Sequence, residues 1–163
     1  MSPFRPDLVD CWIYRDGSSG PEILLIRRAP GRILPGLWQC VSGSLEPGER
    51  VTAGALREVA EETGLSGDAL LDFFDLDLVN QFHEPSADAV MTAAVFAVRV
   101  AADAQPRLSH EHDGARWLAL DAAHREVVWP GYRTAIERIR DDLSDPERAN
   151  WFALTLDGRR ASG

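Results

Sequence analysis

Long apolar runs are missing from this chain. No run of 18 apolar residues interrupts its 163 positions, which excludes a membrane-spanning helix. The opening residues, MSPFRPDLVD, lack an apolar signal core, so the expected compartment is the cytoplasm. Cysteine is scarce too. Cys11 and Cys40 each sit in a strand-like apolar run, with no C-x-x-C or Cys–His pattern beside them. That argues against a disulfide framework and reads as two small core thiols in a reducing compartment. Basic charge is short: 17 Lys and Arg face 26 Asp and Glu, a net charge of −9. Polymer phosphate binding relies on clustered cations, so a nucleic-acid polymer is not the expected partner. Repeats, low-complexity segments and linkers are absent as well. With 45% apolar residues, the chain is expected to form one domain, 1–163, with a real core.

Carboxylate is what the chain has in concentration. Between Gly43 and Leu65 it reads GSLEPGERVTAGALREVAEETGL. Val51, Ala55 and Val59 recur at i, i+4 and i+8, with Leu56 beside them, so a helix here carries one apolar face for a sheet. At about 100° per residue, Glu58, Glu61 and Glu62 fall within an arc of roughly 100° elsewhere on that helix. Like charges at this spacing repel. Such a group persists when something positive sits between its members, and oxygen-only clusters suit hard cations, Mg2+ or Mn2+. Glu62 lies nearest the apolar boundary and should be the least solvated. Pro47-Gly48 marks a turn before the helix, and Gly64 fits a left-handed cap after it. Gly54 either leaves space for metal-bound water and phosphate oxygens or is simply tolerated near the helix start.

The segment matches G-x5-E-x7-R-E-U-x-E-E-x-G-U, with U aliphatic, at Gly43, Glu49, Arg57, Glu58, Val59, Glu61, Glu62, Gly64 and Leu65. Seven fixed positions coincide by chance on the order of once in 10^7 windows, so the chain is identified as resembling the Nudix hydrolases. That resemblance implies an α/β/α sandwich with a mixed sheet, which agrees with the irregular order of strands and helices below. It implies hydrolysis of X–diphosphate linkages with Mg2+ or Mn2+ as cofactor. Glu58 and Glu62 would be the main metal ligands, with Glu61 and the Gly43 carbonyl assisting. Arg57 would orient the cluster by pairing with a carboxylate, Glu49 first.

Along the rest of the chain, strands are expected at Leu8–Tyr14, Glu22–Arg27, Leu37–Ser42, Leu71–Phe82, Val90–Val100 and Ala115–Leu120. The Val90–Val100 run is apolar almost throughout and should be buried on both faces. Ala29–Gly36 and Ala101–Gly114 read as loops. A helical turn is expected from Asp121, and Pro130–Leu143 as an amphipathic helix with Pro130 at its start. The tail, 144–163, holds a possible extra strand at Trp151–Leu156 and frays at its end. That strand could pair with a second subunit, making a homodimer, or cover the sheet edge.

Ser109-His110-Glu111-His112-Asp113 is the second cluster, in a long loop where catalytic groups are often placed. Glu111 is a candidate fourth metal ligand or general base, with a solvated loop glutamate as the alternative. His110 and His112 also allow a zinc reading, weakened by the carboxylates around them. His112 could instead contact substrate phosphate or the leaving group. His83 and His124 read as surface residues. Arg27 and Arg28 end a strand, so one should face each side, and the site-facing one would bind phosphate. Trp38 and Phe82 could stack on a heterocycle or belong to packing, and Trp129, just before the last expected helix, could close the pocket. The fragments VDCWIY, LLIRR, LWQCVSGSLE, Glu111-His112 with Arg116-Trp117-Leu118, and RTAIE are similar to bacterial dihydroneopterin triphosphate pyrophosphatases. That likeness implies a small phosphate-anhydride substrate, release of pyrophosphate, and Arg27, Ser42 and His112 at the substrate. The alternatives are a nucleoside triphosphate or dinucleoside polyphosphate hydrolase, and a binding module of the same fold without activity.

Overall fold

The computed structural model describes residues 3–161. Its centre is β1 (Leu8–Gly17), whose side chains alternate between two cores. Val9, Cys11 and Ile13 enter one, Trp12 and Tyr14 the other. Such double burial requires neighbours on both edges and cover on both faces. β2 (Gly20–Arg28) forms a hairpin with the second half of β1, from Ile13↔Leu24 to Gly17↔Gly20. β4 (Val41–Ser44) pairs with the first half, from Leu8↔Ser44 to Cys11↔Val41. β3 (Trp38–Gln39) pairs with the outer part of β2. The single strand expected at Leu37–Ser42 is therefore two, because the chain steps at Cys40 from the edge of β2 to the edge of β1.

On its other side β1 runs parallel to β6 (Ala89–Val100), which pairs antiparallel with β5 (Leu70–Glu84). β7 (His112–Ala119) lies along β2 and begins three residues before the expected Ala115. Arg28 pairs with His112 and Arg27 with Gly114, so Asp113 bulges out between them. α1 (Val51–Thr63) buries Ala55 and Val59 completely against one face of the sheet. A fully buried valine is worth about 1.5–3 kcal/mol over an exposed one. α2 (Leu120–Glu126) and α3 (Pro130–Arg138) cover the other face through Ala123, Ala135 and Ile136. The expected helix from Pro130 does run to Leu143, but Ile139–Leu143 winds as a π turn. The architecture is the expected α/β/α arrangement of a mixed sheet between helices.

The tail differs from expectation. Residues Pro146–Phe152 form a helix, α4, and only Ala153–Leu154 (β8) pairs with β5. The Asp145 carboxylate accepts from the Glu147 N–H at 3.0 Å and Pro146 opens the first turn, a helix start that outweighs the alternation at Trp151–Leu156. β8 lies on the edge of this chain's own sheet. The glycine and arginines near the end, where fraying is expected, instead turn back on the chain: the Thr155 N–H donates to the Arg159 carbonyl at 2.8 Å, and Arg160 bridges Leu154 and donates to Asp75 at 3.2 Å; the last two residues lie outside the described residues. Among the described residues no helix is long and apolar enough to cross a membrane.

Candidate active site

α1 is held at both ends by local chemistry. Gly48, at φ 76°, turns the chain into the helix, and Gly64, at φ 69°, ends it while donating to the Ala60 carbonyl at 2.9 Å. The late loop then docks on the helix end. Arg107 N–H donates to the Thr63 carbonyl at 2.8 Å and Ser109 N–H to the Glu62 carbonyl at 3.2 Å. These two bonds bring Glu111, some fifty residues away in sequence, beside the helical carboxylates.

Arg57 is the hub of the cluster. Its Nε and Nη2 donate to the two oxygens of Glu49 at 2.7 and 3.0 Å, and Nη1 donates to Glu58 at 2.8 Å and Glu61 at 3.1 Å. Nη2 also reaches the Ser44 carbonyl of β4 at 3.0 Å. This fork–fork pairing holds the Glu49 carboxyl down at about 2. The Arg57 guanidinium is correspondingly pushed above its ordinary value by the carboxylates around it, Glu49 foremost.

Two glycines are required by close approach. A Cβ on Gly43 would lie 2.1 Å from the Glu58 carboxyl carbon. Gly43→Ala is therefore expected to push Glu58 out of place and destabilise the fold by about 1–3 kcal/mol, with a larger loss in divalent-cation affinity. Calorimetric Mn2+ titration beside a melting curve checks both. A Cβ on Gly54 would meet Leu45 at 2.4 Å and a Glu49 oxygen at 3.0 Å. Neither expectation for Gly54 describes this: its smallness seats the loop between β4 and α1 and leaves no space toward a ligand.

A cavity of about 560 Å³ opens beside these groups, lined among others by Glu58, Glu61, Glu62, Glu111, Arg28 and Arg32. The glutamates are solvated in the order that the apolar boundary predicts. Glu62 is 4% exposed and Glu58 9%, whereas the Glu61 side chain is 58% exposed. Burial raises the Glu62 carboxyl to about 8, with the Glu58 and Glu111 charges adding to the shift. Burial also raises Glu58, against the pull of Arg57. Glu62 Oε2 is buried with no hydrogen-bond partner. A carboxylate oxygen left bare in a polar cavity, next to a second buried carboxylate, fits a hard cation as the missing partner. Among the described residues no three His, Cys, Asp or Glu side chains are already gathered around one point. Glu58 is turned to Arg57, and Glu111 to Arg32 at 2.6 Å.

The remaining sequence candidates divide. Ser42, Gly43 and His112 line the cavity. Ser42 also bonds to the Glu62 carboxylate through its main chain. His112 is 7% exposed, and burial lowers its pKa, so the imidazole is neutral at pH 7. Its Nε2 lies 3.4 Å from the Gln39 amide and 3.9 Å from Glu62 Oε2. Arg27 is a correction: it faces away from the cavity, bound to Asp113 at 2.7 Å and stacked near Trp38. Arg28 faces the cavity instead, with Nη1 on Gln39 Oε1 at 3.2 Å. Arg32 on the 29–36 loop was not singled out by the sequence. Its only signal was a lone arginine in a Gly/Pro-rich loop. Trp38 packs between Arg27 and Arg116, while Phe82 and Trp129 are exposed.

Comparison with known proteins agrees with this geometry. The NUDIX domain family profile matches residues 5–139. A Myxococcus xanthus protein named octanoyltransferase is 37% identical over 123 residues, covering 73% of this chain and 33% of that protein. The chain spans from a third to under two thirds of the curated relatives it matches. The Escherichia coli dihydroneopterin triphosphate pyrophosphohydrolase structure superposes with a TM-score of 0.70 at 27% identity, covering 82% of this chain and 94% of that one. A Caenorhabditis elegans Ap4A hydrolase structure gives 0.72 at 20% identity, covering 86% and 98%.

Proposed function

The chain belongs to the NUDIX family, and on that footing we propose that it is a divalent-cation-dependent pyrophosphohydrolase acting on a small phosphate anhydride. The observation that carries this reading is the bare, buried oxygen of Glu62 beside Glu58, facing a polar cavity that also presents arginines. A packing helix has no use for such an arrangement, because the uncompensated carboxylate costs stability.

In the reaction, a water oxygen forms a bond to phosphorus as the bridging P–O bond breaks. The water loses its proton, and pyrophosphate leaves a monophosphate ester behind. Glu58 and Glu62 would hold Mg2+ or Mn2+, with Glu61, Glu111 and the Gly43 carbonyl as further donors. A bound cation of this kind neutralises charge building on phosphate oxygens and makes water a better nucleophile. Arg57 keeps Glu58 and Glu61 aimed, through the frame it makes with Glu49 and Ser44. Glu111 or one of the helical glutamates accepts the proton. Arg28 offers its guanidinium to substrate phosphate, and Ser42 and neutral His112 complete the wall that the substrate meets.

The proposed substrate is dihydroneopterin triphosphate. Support comes from the fragments shared with that group of enzymes and from the E. coli structure at 27% identity. The Ap4A hydrolase likeness favours dinucleoside polyphosphates as the second reading. Purified protein with Mg2+ is to be assayed against pterin triphosphate, nucleoside triphosphates, dinucleoside polyphosphates and ADP-ribose, with products identified. Pyrophosphate released from the pterin substrate in preference to the others is the expected result. Preference for dinucleoside polyphosphates would replace the substrate assignment, and no turnover with any of them would favour a binding module.

A further inference from the structure

We propose that Arg32 is a phosphate-binding arm, stored on Glu111 in the resting protein and released when Glu111 turns to the divalent cation. The proposal rests on the reading of this cavity as a cation and polyphosphate site.

The 29–36 loop is hung on the late loop by two different bonds. The main-chain N–H of Ala29 donates to the Glu111 carbonyl at 2.9 Å. The Arg32 guanidinium donates to the Glu111 carboxylate at 2.6 Å. The first bond needs no side chain and keeps the loop in place whatever the carboxylate does. The second is exchangeable, because the two side chains are 41% and 36% exposed and pairs so wet are weak.

Cations for phosphate are few here. The chain contains no lysine, so all 17 of its basic residues are arginines. Arg57 is committed to carboxylates. Arg28 is tied to Gln39 and to the Ile33 carbonyl. Arg32 is the cavity arginine whose side chain is held by a single carboxylate, and Gly31, at φ 85°, sits directly before it as a point of backbone freedom. Against these stand Glu58, Glu61, Glu62 and Glu111 on the same cavity. An anionic polyphosphate entering that field needs Glu111 neutralised and a guanidinium made available. Turning Glu111 to the cation does both. The planar fork of an arginine suits two phosphate oxygens at once.

The test uses the full chain and two probes, Mn2+ alone and imidodiphosphate, a non-hydrolysable pyrophosphate analogue. In Mn2+-loaded protein, Arg32→Ala is expected to weaken imidodiphosphate binding in calorimetry by about tenfold or more. Arg32→Lys should restore only part of it. Without phosphate, Arg32→Ala should tighten Mn2+ binding by about fivefold by freeing Glu111. That gain should vanish when Glu111→Gln is also present, since the coupling runs through the pair. Unchanged imidodiphosphate affinity in Arg32→Ala would overturn the phosphate role. A Mn2+ gain that persists with Glu111→Gln would overturn the storage role, leaving mere charge relief. Neither probe is turned over, so absence of hydrolysis in the substrate assay would count against the proposed function alone.

Discussion

Replacing Glu62 by glutamine is expected to lower turnover on the order of 10^3-fold while making the cation-free protein more stable at pH 8. Both effects come from one oxygen. In the folded chain the Glu62 carboxyl is raised to about 8 by burial and by the Glu58 and Glu111 charges. In the unfolded chain it returns to the ordinary glutamate value near 4.5. A carboxyl raised on folding favours the folded state when protonated. Its contribution is fully present below about 4.5 and is lost as pH climbs through about 8. Keeping Glu62 ionised in the cation-free protein therefore costs on the order of a few kcal/mol at pH 8, and glutamine removes that cost. Thermal melts in EDTA should show the variant about 5–10 °C above the parent at pH 8, with the gap closing near pH 4.5. Saturating Mn2+ should stabilise the parent far more than the variant. A variant that melts like the parent at pH 8 and keeps its rate would remove Glu62 from the site.

Arg57→Ala carries the second large effect. The guanidinium bonds to Glu49, Glu58 and Glu61 at once and ties them to the Ser44 carbonyl of β4. Its loss leaves Glu58 buried without a counter-charge, a situation that costs about 3–5 kcal/mol when a buried pair is broken on one side. Turnover is expected to fall on the order of 10^2-fold or more. Arg57→Lys should recover little, because one ammonium cannot bond both Glu49 oxygens and two further carboxylates. Steady-state kinetics with a melting curve distinguishes this from simple unfolding: the variant should remain folded at 25 °C yet require higher Mg2+ for half-maximal rate. An unchanged rate and Mg2+ requirement would end the orienting role.

Much of the site was legible because it is local. One helix turn places Glu58 and Glu62 on the same face, and the apolar stripe of Val51, Ala55 and Val59 says which side is buried. Glu111 was legible by composition, yet its distance to α1 was not, since that depends on the main-chain bonds of Arg107 and Ser109 to the helix end. Strand alternation required Arg27 and Arg28 to face opposite sides. Which of them meets the glutamates depends on the face that α1 covers: Leu24 and Ile26 pack with Ala55 and Val59, whereas Ile23 and Leu25 pack with α2 and α3. That choice is tertiary, and it sends Arg28 to the cavity and Arg27 to Asp113. The break at Cys40 was hidden for the same reason, because an unbroken apolar run can serve two neighbouring strands in turn. Gly54 looked like space for a ligand from the helix alone, and only the return of Leu45 and Glu49 shows what fills it. The tail helix is the opposite case: its start signal, Asp145-Pro146, is local, and it prevails over the short alternation at Trp151–Leu156.

Mn2+ binding to the parent protein and to Glu62→Gln, followed by the free-ion paramagnetic resonance signal at pH 8, tests the account most directly. The account predicts saturable binding by the parent and at least tenfold weaker binding by the variant, with the fold intact by circular dichroism. Equal affinity in the two proteins, or no binding by the parent, would contradict it.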